Sequence, residues 1–461
     1  MISKKLKKNI YIIGLGISGM SLARALKKTL CHTICWDDDI LTRKKAKKNK
    51  IKVIAVENVN FKTLDYLVLS PGIKSEGKNT HIAAAKAKEN KVTIISDLEF
   101  LSFLEKKKTL IGITGTNGKS TTTVFTKNLI SYKNKLKSQM CGNIGIPLNK
   151  IDIKKYLGPI VVESSSFQLH RIKNLKFEIA VLLNISRDHM DWHENMNSYI
   201  KAKLNIFKNQ TKSSTAIICI DNKICQKIAK EFDRNFKSNL ITISTNLKKK
   251  SDINLSDNKD EIEIRNNLIN KKIIINKKKM QFIAAKHNFQ NLLASYSIFF
   301  SLGLNHSNFI QAVEKLKNIE HRMEFVGSKR NINFFNDSKS TNINSTLTAL
   351  DCLGNNLLIL GGREKKGGLK GIEKKTHKIL RAYTYGEANI KFHNFLKENS
   401  IDSSYFPNLD NAFNSAVKDA LKYKTEVNVL FSPACSSYDQ FKDFSERGKY
   451  FKNLVYKKKN E

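Results

Sequence analysis

No apolar run in this sequence approaches the ~20 residues that a membrane-spanning helix needs, so a membrane partner is not expected. The opening Met1 to Met20 imitates a signal peptide, with lysines ahead of IYIIGLGISGM, but no small-residue cleavage site follows. Cysteines are scattered and odd in number: seven, without a CxxC, and with no second pair to match Cys31 and Cys35. That excludes a disulfide framework and a zinc ribbon, and it leads us to expect a cytoplasmic protein. No internal repeat of solenoid length is present. Acidic residues are also scarce, 41 against 81 Lys and Arg, which leaves a net charge of +40. Such a charge attracts phosphate polymers. The lysines, however, are dispersed among Asn and Ile along the whole chain, without aromatics interleaved as a stacking platform. No specific nucleic-acid partner is expected.

What is present is a large globular chain. Its 461 residues exceed one hydrophobic core, because domains cluster near ~100–200 residues. Short apolar runs alternate with helical stretches, the pattern of α/β domains. NIYIIGLG, HTICWD and LDYLVLSPGI read as strands of a first unit that ends near Ser96–Leu104. TLIGITG opens a second, continued by the strands GPIVVESSS, FEIAVLLNIS and STAIICID. Residues 221–280 are rich in Lys, Asn and Asp. Within them EIEIR and KKIIIN alternate like a hairpin joined near Asn266–Asn267. The helix NFQNLLASYSIFFSLG is expected to close this unit. After His321-Arg322 a third begins, with strands INFFND, NNLLILGG, RAYTYG and EVNVLFSPA. Three consecutive α/β domains are expected.

Two glycine turns carry the chemistry. Gly14 to Gly19 matches GxGxxG between a strand and a helix, and Asp37 ends the next strand where a ribose-binding acid belongs. Alone, this fits a dinucleotide, another nucleotide or a structural turn. Thr114-Gly115-Thr116-Asn117-Gly118-Lys119-Ser120 is sharper: backbone amides can cradle phosphates, Lys119 supplies charge, and Ser120 can reach magnesium. Ile113 stands where a strict P-loop has glycine. Glu163 and the pair Asp188-His189 end two further strands, where open α/β sheets place ligands and where they could hold a metal. Lys203 carries no signal of its own, since a lysine on an amphipathic helix is ordinarily solvated. In the third unit the loops around Asp337, Gly361-Gly362 and Ser432–Ser437 are rich in Lys, Ser and Thr, suited to a small dicarboxylate. Cys435 has no nearby His to make it a nucleophile.

These motifs, in this order, resemble the Mur ligases, in the branch that adds D-glutamate. The likeness runs from Ile10 to Phe451 and is weakest across 221–280. It rests on GTNGKST at Gly115–Thr121, GNIG at Gly142–Gly145, ESSSFQL at Glu163–Leu169 and DHMDWH at Asp188–His193. KHNFQN at Lys286–Asn291, HR at His321–Arg322 and NDSKSTN at Asn336–Asn342 continue it. SPACSSYDQFKDFSERG, from Ser432 to Gly448, is the most diagnostic string and argues against sibling ligases and folylpolyglutamate synthase.

The resemblance implies a Rossmann-like N-terminal domain for the UDP moiety over 1–98, and a central mononucleotide-binding, P-loop-like ATPase domain over 99–319. A Rossmann-like C-terminal domain for the amino acid then covers 320–461. It implies a monomer using ATP, magnesium, D-glutamate and UDP-N-acetylmuramoyl-L-alanine, through an acyl phosphate. Ile17, Ser18, Asp37, Ser70, Asn143 and His189 then meet the UDP substrate. Gly115, Thr116, Asn117, Gly118, Lys119, Ser120 and Thr121, with Asn288, Asn291, Arg322 and Asp337, surround ATP. Ser120, Glu163, His189 and a carbamylated Lys203 hold magnesium, and Lys119, Glu163, His189 and Lys203 are the catalytic set. Thr341, Lys365, Ser437 and Phe444 line the D-glutamate pocket. Lys366 is the alternative to Lys365, which the spacing from Gly361-Gly362 favours.

Overall fold

The computed structural model describes residues 2–77, 79–134, 137–190, 192–280, 286–316, 319–364 and 368–460, with the backbone alone at 286 and 287. The chain divides into two compact units: Met1–Met280 with Asn288–Leu316, and Gln281–His287 with Lys317–Glu461. The first unit carries two sheets and the second one.

The N-terminal sheet has four parallel strands in the order His32–Trp36, Asn9–Ile13, Tyr66–Leu69, Thr93–Ile95. The chain leaves the central strand Asn9–Ile13 into the glycine turn and helix Ile17–Leu26. Strand order reverses at this point, and open α/β sheets bind ligands there.

The central sheet runs, by strand, 271–276, 261–266, 253–257, 239–244, 215–219, 179–182, 110–114, 160–163 and 139–142. Its first three strands pair antiparallel and the rest parallel. Burial follows that division. Ile160–Glu163, Ile179–Leu182 and Leu110–Thr114 are buried at every residue, as strands covered on both faces must be. Glu261–Asn266 and Lys271–Asn276 largely alternate buried with more exposed residues, as strands covered on one face do. The anticipated hairpin is therefore real, but its turn lies at 267–270, because Asn266 still pairs with Lys271. A further strand, Ile253–Asp257, precedes it and went unread in the lysine-rich sequence. Helix Lys286–Ser301 does not close the unit; helix His306–Glu314 follows, capped by the Asn305 side chain on Ser307 N.

The second unit holds a six-stranded sheet ordered Glu324–Lys329, Ile332–Asn336, Val427–Phe431, Asn356–Gly361, Ile379–Tyr385, Ser403–Phe406. Only the first pair is antiparallel. Glu324–Lys329 was not anticipated, since EFVGSK has neither alternation nor a β-branched run. Separate apolar clusters cover the two faces: Phe334, Phe431 and Phe451 on one, Leu358, Leu430 and Phe392 on the other.

Candidate active site

In the first unit the GxGxxG turn opens on a cavity of about 650 Å³. Gly14 sits at φ +88°, and a Cβ there would meet the Ser70 side chain at 2.7 Å. Gly19 is tighter, with a Cβ falling 1.9 Å from Gly14 O. The glycines thus let the helix start press against the strand, which no larger residue permits. Helix Ile17–Leu26 has no side-chain cap, so its first amides face the cavity. Asp37 accepts from Leu15 N at 2.6 Å, and Ser70 Oγ donates to Gly14 O at 2.8 Å. Ile17 stands 84% exposed on the lip, an apolar face suited to a planar ring.

The cavity wall gathers Ile17, Ser18, Asp37, Ser70 and Asn143, five of the six residues assigned to the UDP substrate from sequence; His189 is not among the lining residues. Asn143 comes from the central sheet, so the cavity spans both sheets of this unit. Sequence reasoning missed Asp97, which also lines it. Burial pushes the Asp97 carboxyl above its ordinary range, opposed by hydrogen bonds from Gln168 and Ser18. Nothing in SDLEF distinguishes such an acid from a helix cap.

In the central sheet, Ile113 pairs with Glu163 and Thr114 with Leu182, so three adjacent parallel strands end side by side. The phosphate loop leaves the middle one. Gly118 adopts φ +83° at the start of helix Lys119–Ser131, where a Cβ would approach Asn291 Oδ1 to 2.3 Å. The neighbouring strand end holds the loop open: Thr116 N donates to Asn184 O at 2.9 Å and Asn117 N to Asn184 Oδ1 at 2.8 Å. Asn184 in turn bonds Gln290, within the KHNFQN string, which reaches Asp221; none of the three was assigned a role from sequence. Lys119 Nζ donates to Gly115 O and Thr116 O, both at 2.8 Å, which coils it over its own loop. Asn291 accepts from Thr122 Oγ1 at 3.1 Å and donates to Asn288 at 3.3 Å, so both asparagines stand behind the loop. Ser120 and Thr121 are buried in the first turn.

Glu163 is buried at its strand end. Its Oε1 accepts from Asn143 Nδ2 at 2.9 Å, whereas its Oε2 is buried and finds no hydrogen-bond partner among the described residues. Lys203, on helix Met196–Leu204, is only 1% exposed. Its Nζ donates to Gly115 O at 2.8 Å and lies 4.6 Å from the centre of the Tyr199 ring. Tyr199 itself bonds Thr116 Oγ1 at 3.0 Å. Burial drives the Lys203 amine well below its usual range; nearby Lys119 acts in the same direction, and Asp188 and Glu163 oppose. The solvated lysine that helical periodicity suggests is instead a buried amine against the phosphate loop. His189 is half exposed at φ +55°, with Nε2 3.5 Å from Asp188 and its ring edge-on to Phe167 at 4.8 Å.

Among the described residues no cluster of three His, Cys, Asp or Glu side chains could hold a metal ion. The orphaned Glu163 oxygen beside a phosphate loop nevertheless suits a divalent cation that draws its other ligands from a hydroxyl and phosphate oxygens. The Lys203 amine as it stands does not suit one; only an acidic derivative of it would.

In the second unit the three loops converge. Asp337 N donates to Phe431 O, Gly361 N to Pro433 O, and Arg363 pairs with Ser436. Asp337 is buried and accepts from the Ser432 and Ser340 hydroxyls; burial raises its carboxyl to about 6 against those bonds and nearby Arg322. Arg322 Nε is buried without a partner among the described residues, between His321 at φ +63° and Met323 at φ +44°. Ser437 is buried, Thr341 half-buried, and Phe444 begins helix Phe444–Asn460 with its carbonyl accepting from Ser338. Lys365 lies outside the described residues, as does Lys366. Two residues inside the quoted strings, given no role from sequence, knit the loops together. Fully buried Arg447 donates to Ser338 O at 2.8 Å and Cys435 O at 3.0 Å, and Asn336 bonds His321 and Gly448 O.

With this geometry in hand, kinship is decisive. The UDP-N-acetylmuramoylalanine–D-glutamate ligase of Rickettsia prowazekii is 39% identical over 455 residues, covering 97% of this chain and 98% of that one. The chain belongs to the Mur ligases. Residues 113–299 of this Mur ligase match the Mur ligase middle domain, from the phosphate-loop strand to helix Lys286–Ser301. The fold also matches the UDP-N-acetylmuramate–alanine ligase of Thermotoga maritima, with a TM-score of 0.61 at 16% identity, covering 98% of this chain and 100% of that one. A MurF ligase from the same organism, in complex with ADP, matches with a TM-score of 0.56 at 17% identity, covering 88% of this Mur ligase and 98% of that chain. No helix among the described residues is long and apolar enough to cross a membrane.

Proposed function

We propose that this chain is an ATP-dependent ligase that joins D-glutamate to UDP-N-acetylmuramoyl-L-alanine in peptidoglycan precursor synthesis. One observation carries the reading: Asn143 lines the 650 Å³ cavity and also donates to Glu163 beside the phosphate loop. A nucleotide-sugar seated in that cavity through Ile17, Ser18, Asp37 and Ser70 therefore has a path for its L-alanyl carboxylate to the site of phosphate transfer. His189 completes that contact set, near the reacting end.

The reaction follows from the groups in place. The amides of Gly115–Thr121 cradle the ATP phosphates and Lys119 turns from its loop carbonyls to the γ-phosphate, dispersing charge as it moves. The alanyl carboxylate attacks that phosphorus and ADP leaves, forming an acyl phosphate. The D-glutamate amine attacks the acyl carbon, gives up a proton, and phosphate departs from the tetrahedral intermediate. Asn288, Asn291, Arg322 and Asp337 complete the ATP surroundings; Thr341, Lys365, Ser437 and Phe444 orient D-glutamate. Ser120, Glu163, His189 and a carbamylated Lys203 would hold magnesium, which would neutralise phosphate charge when bound.

Carbamylation of Lys203 joins its uncharged amine nitrogen to carbon dioxide with loss of a proton. Burial favours the uncharged amine this step requires. The three sheets correspond to UDP, ATP and amino-acid domains bounded near 98 and 319, in a cytoplasmic monomer without a nucleic-acid partner. The test is phosphate release from ATP with UDP-N-acetylmuramoyl-L-alanine, comparing D-glutamate with L-glutamate, meso-diaminopimelate and L-lysine. Release with D-glutamate alone is expected. Release only with another amino acid rejects the D-glutamate assignment, and silence with all four rejects the ligase reading.

A further inference from the structure

Arg171 takes no part in the reaction as described, yet it is buried where two functional regions of the first unit meet. It follows the short helix Ser166–Leu169, which a Ser165–Gln168 capping box fixes at the end of the Glu163 strand. Its guanidinium donates to the carbonyls of Leu69 and Ser70, at 3.4 Å each, and of Ile73. Those residues begin and form the loop whose Ser70, Pro71, Gly72 and Ile73 line the nucleotide-sugar cavity. Three carbonyls from one loop on one planar fork is a geometry lysine cannot reproduce.

The opposite side of Arg171 faces the reacting end. Its guanidinium carbon lies 5.4 Å from the centre of the Trp192 ring, within cation–π reach. Trp192 packs edge-on against Phe167 at 4.8 Å, and Phe167 against His189 at the same distance. Trp192 N also donates to His189 O at 3.1 Å, so the indole and the imidazole share one turn. The indole Nε1 is buried with no hydrogen-bond partner among the described residues, so polar groups do not pin the ring and packing alone orients it. A second strap runs alongside, from His170 to Glu76 at 3.7 Å.

We propose that Arg171 is a positioning residue that transmits occupancy of the nucleotide-sugar cavity, through Trp192 and Phe167, to the turn carrying His189. The proposal rests on the cavity taking UDP-N-acetylmuramoyl-L-alanine. A substrate that presses on Ser70–Ile73 moves the three carbonyls, hence the guanidinium, hence the indole stacked on it. Couplings through such contiguous side chains amount to factors of about 2 to 30.

The chain has two tryptophans, so Trp36→Phe leaves Trp192 as the sole indole reporter in the full-length protein. UDP-N-acetylmuramoyl-L-alanine is titrated by calorimetry and by Trp192 emission in parallel. Expected is a saturable change in emission with the calorimetric midpoint. Arg171→Lys should keep the calorimetric Kd within about 3-fold, lose the emission change, and lower kcat about 10-fold with KM for ATP unchanged. Trp192→Phe, which keeps an aromatic face under Arg171, should retain most of kcat where Trp192→Ala does not. A merely structural role predicts a different set: falling thermal midpoint, raised KM for ATP and an intact emission response in the protein that remains folded. Calorimetric binding with silent Trp192 emission, or Arg171→Lys with wild-type kcat, overturns the proposal while leaving the substrate reading intact. Absence of calorimetric binding overturns the substrate reading, and this proposal with it.

Discussion

Glu163→Gln should move stability and activity in opposite directions. Glu163 is buried, with one oxygen satisfied by Asn143 and the other by nothing among the described residues. A buried orphan acceptor costs about 1–3 kcal/mol, and more when charged. Glutamine has the same shape and keeps an oxygen for Asn143. Its amide nitrogen replaces the orphan and is itself unpartnered, but it is neutral, so the gain is the difference between the two orphans. That difference is about 1–2 kcal/mol, or a rise of roughly 2–4 °C in the unfolding midpoint without ligands. The same change removes the charge that would face magnesium and the transferring phosphate, so kcat should fall at least ~10²-fold. Magnesium-dependent stabilisation by ATP should shrink as well, since it scales with affinity for the folded state. Differential scanning fluorimetry with and without Mg-ATP, beside a phosphate-release assay, reads all three. A ligand-free variant that melts earlier than wild type, or one that keeps its turnover, would refute the reasoning.

Lys203→Met should likewise raise stability and abolish turnover. The Lys203 pKa is lower in the folded than in the unfolded chain, so the penalty is full at pH below its folded value and vanishes as pH rises toward 10.5; denaturation in CO2-free buffer should show the gain over wild type shrinking with rising pH. Wild-type activity should fall on exhaustive removal of CO2 and return with bicarbonate, and a carboxylate-independent enzyme would not respond. Asp37→Asn weakens a 2.6 Å charge-assisted bond from Leu15 N and should raise KM for the nucleotide-sugar about 10-fold with KM for ATP unchanged, by steady-state kinetics. Asp337 titrates near 6 in the fold against 3.8 as an ordinary carboxyl, so its contribution is most favourable below pH 4 and is lost as pH rises to about 6. That loss is on the order of 3 kcal/mol, and denaturant titrations of Asp337→Asn should lack this slope.

The sequence made some features plain and hid others, for physical reasons. Buried parallel strands such as IVVE and LLILG read directly, because cover on both faces leaves an unbroken apolar run. EFVGSK and INLSD did not, since edge or mixed positions dilute the pattern. Glycines forced by close approach, at Gly14 and Gly118, marked both strand-to-helix turns. Residues carried over by resemblance, such as Asn143, fell where long-range folding brings them to Glu163, a contact no local pattern encodes. Lys203 reads locally as solvated, and its burial depends on Tyr199 and Gly115, the latter 88 residues away. Arg171, Asp97, Asn184 and Arg447 carry no periodicity or spacing signal; each matters through hydrogen bonds to distant segments, carbonyls for the two arginines, Gln168 and Ser18 for Asp97, and the amides of Thr116 and Asn117 for Asn184.

The most direct test of the account is mass spectrometry of the nucleotide-sugar after incubation with ATP, magnesium and an equimolar mixture of D-glutamate, L-glutamate, L-alanine and meso-diaminopimelate. The account predicts that UDP-N-acetylmuramoyl-L-alanine gains one glutamyl residue, that chiral hydrolysis returns it as D-glutamate, and that ADP and phosphate appear in equal amounts. A product bearing another amino acid, or an unaltered nucleotide-sugar beside consumed ATP, would contradict it.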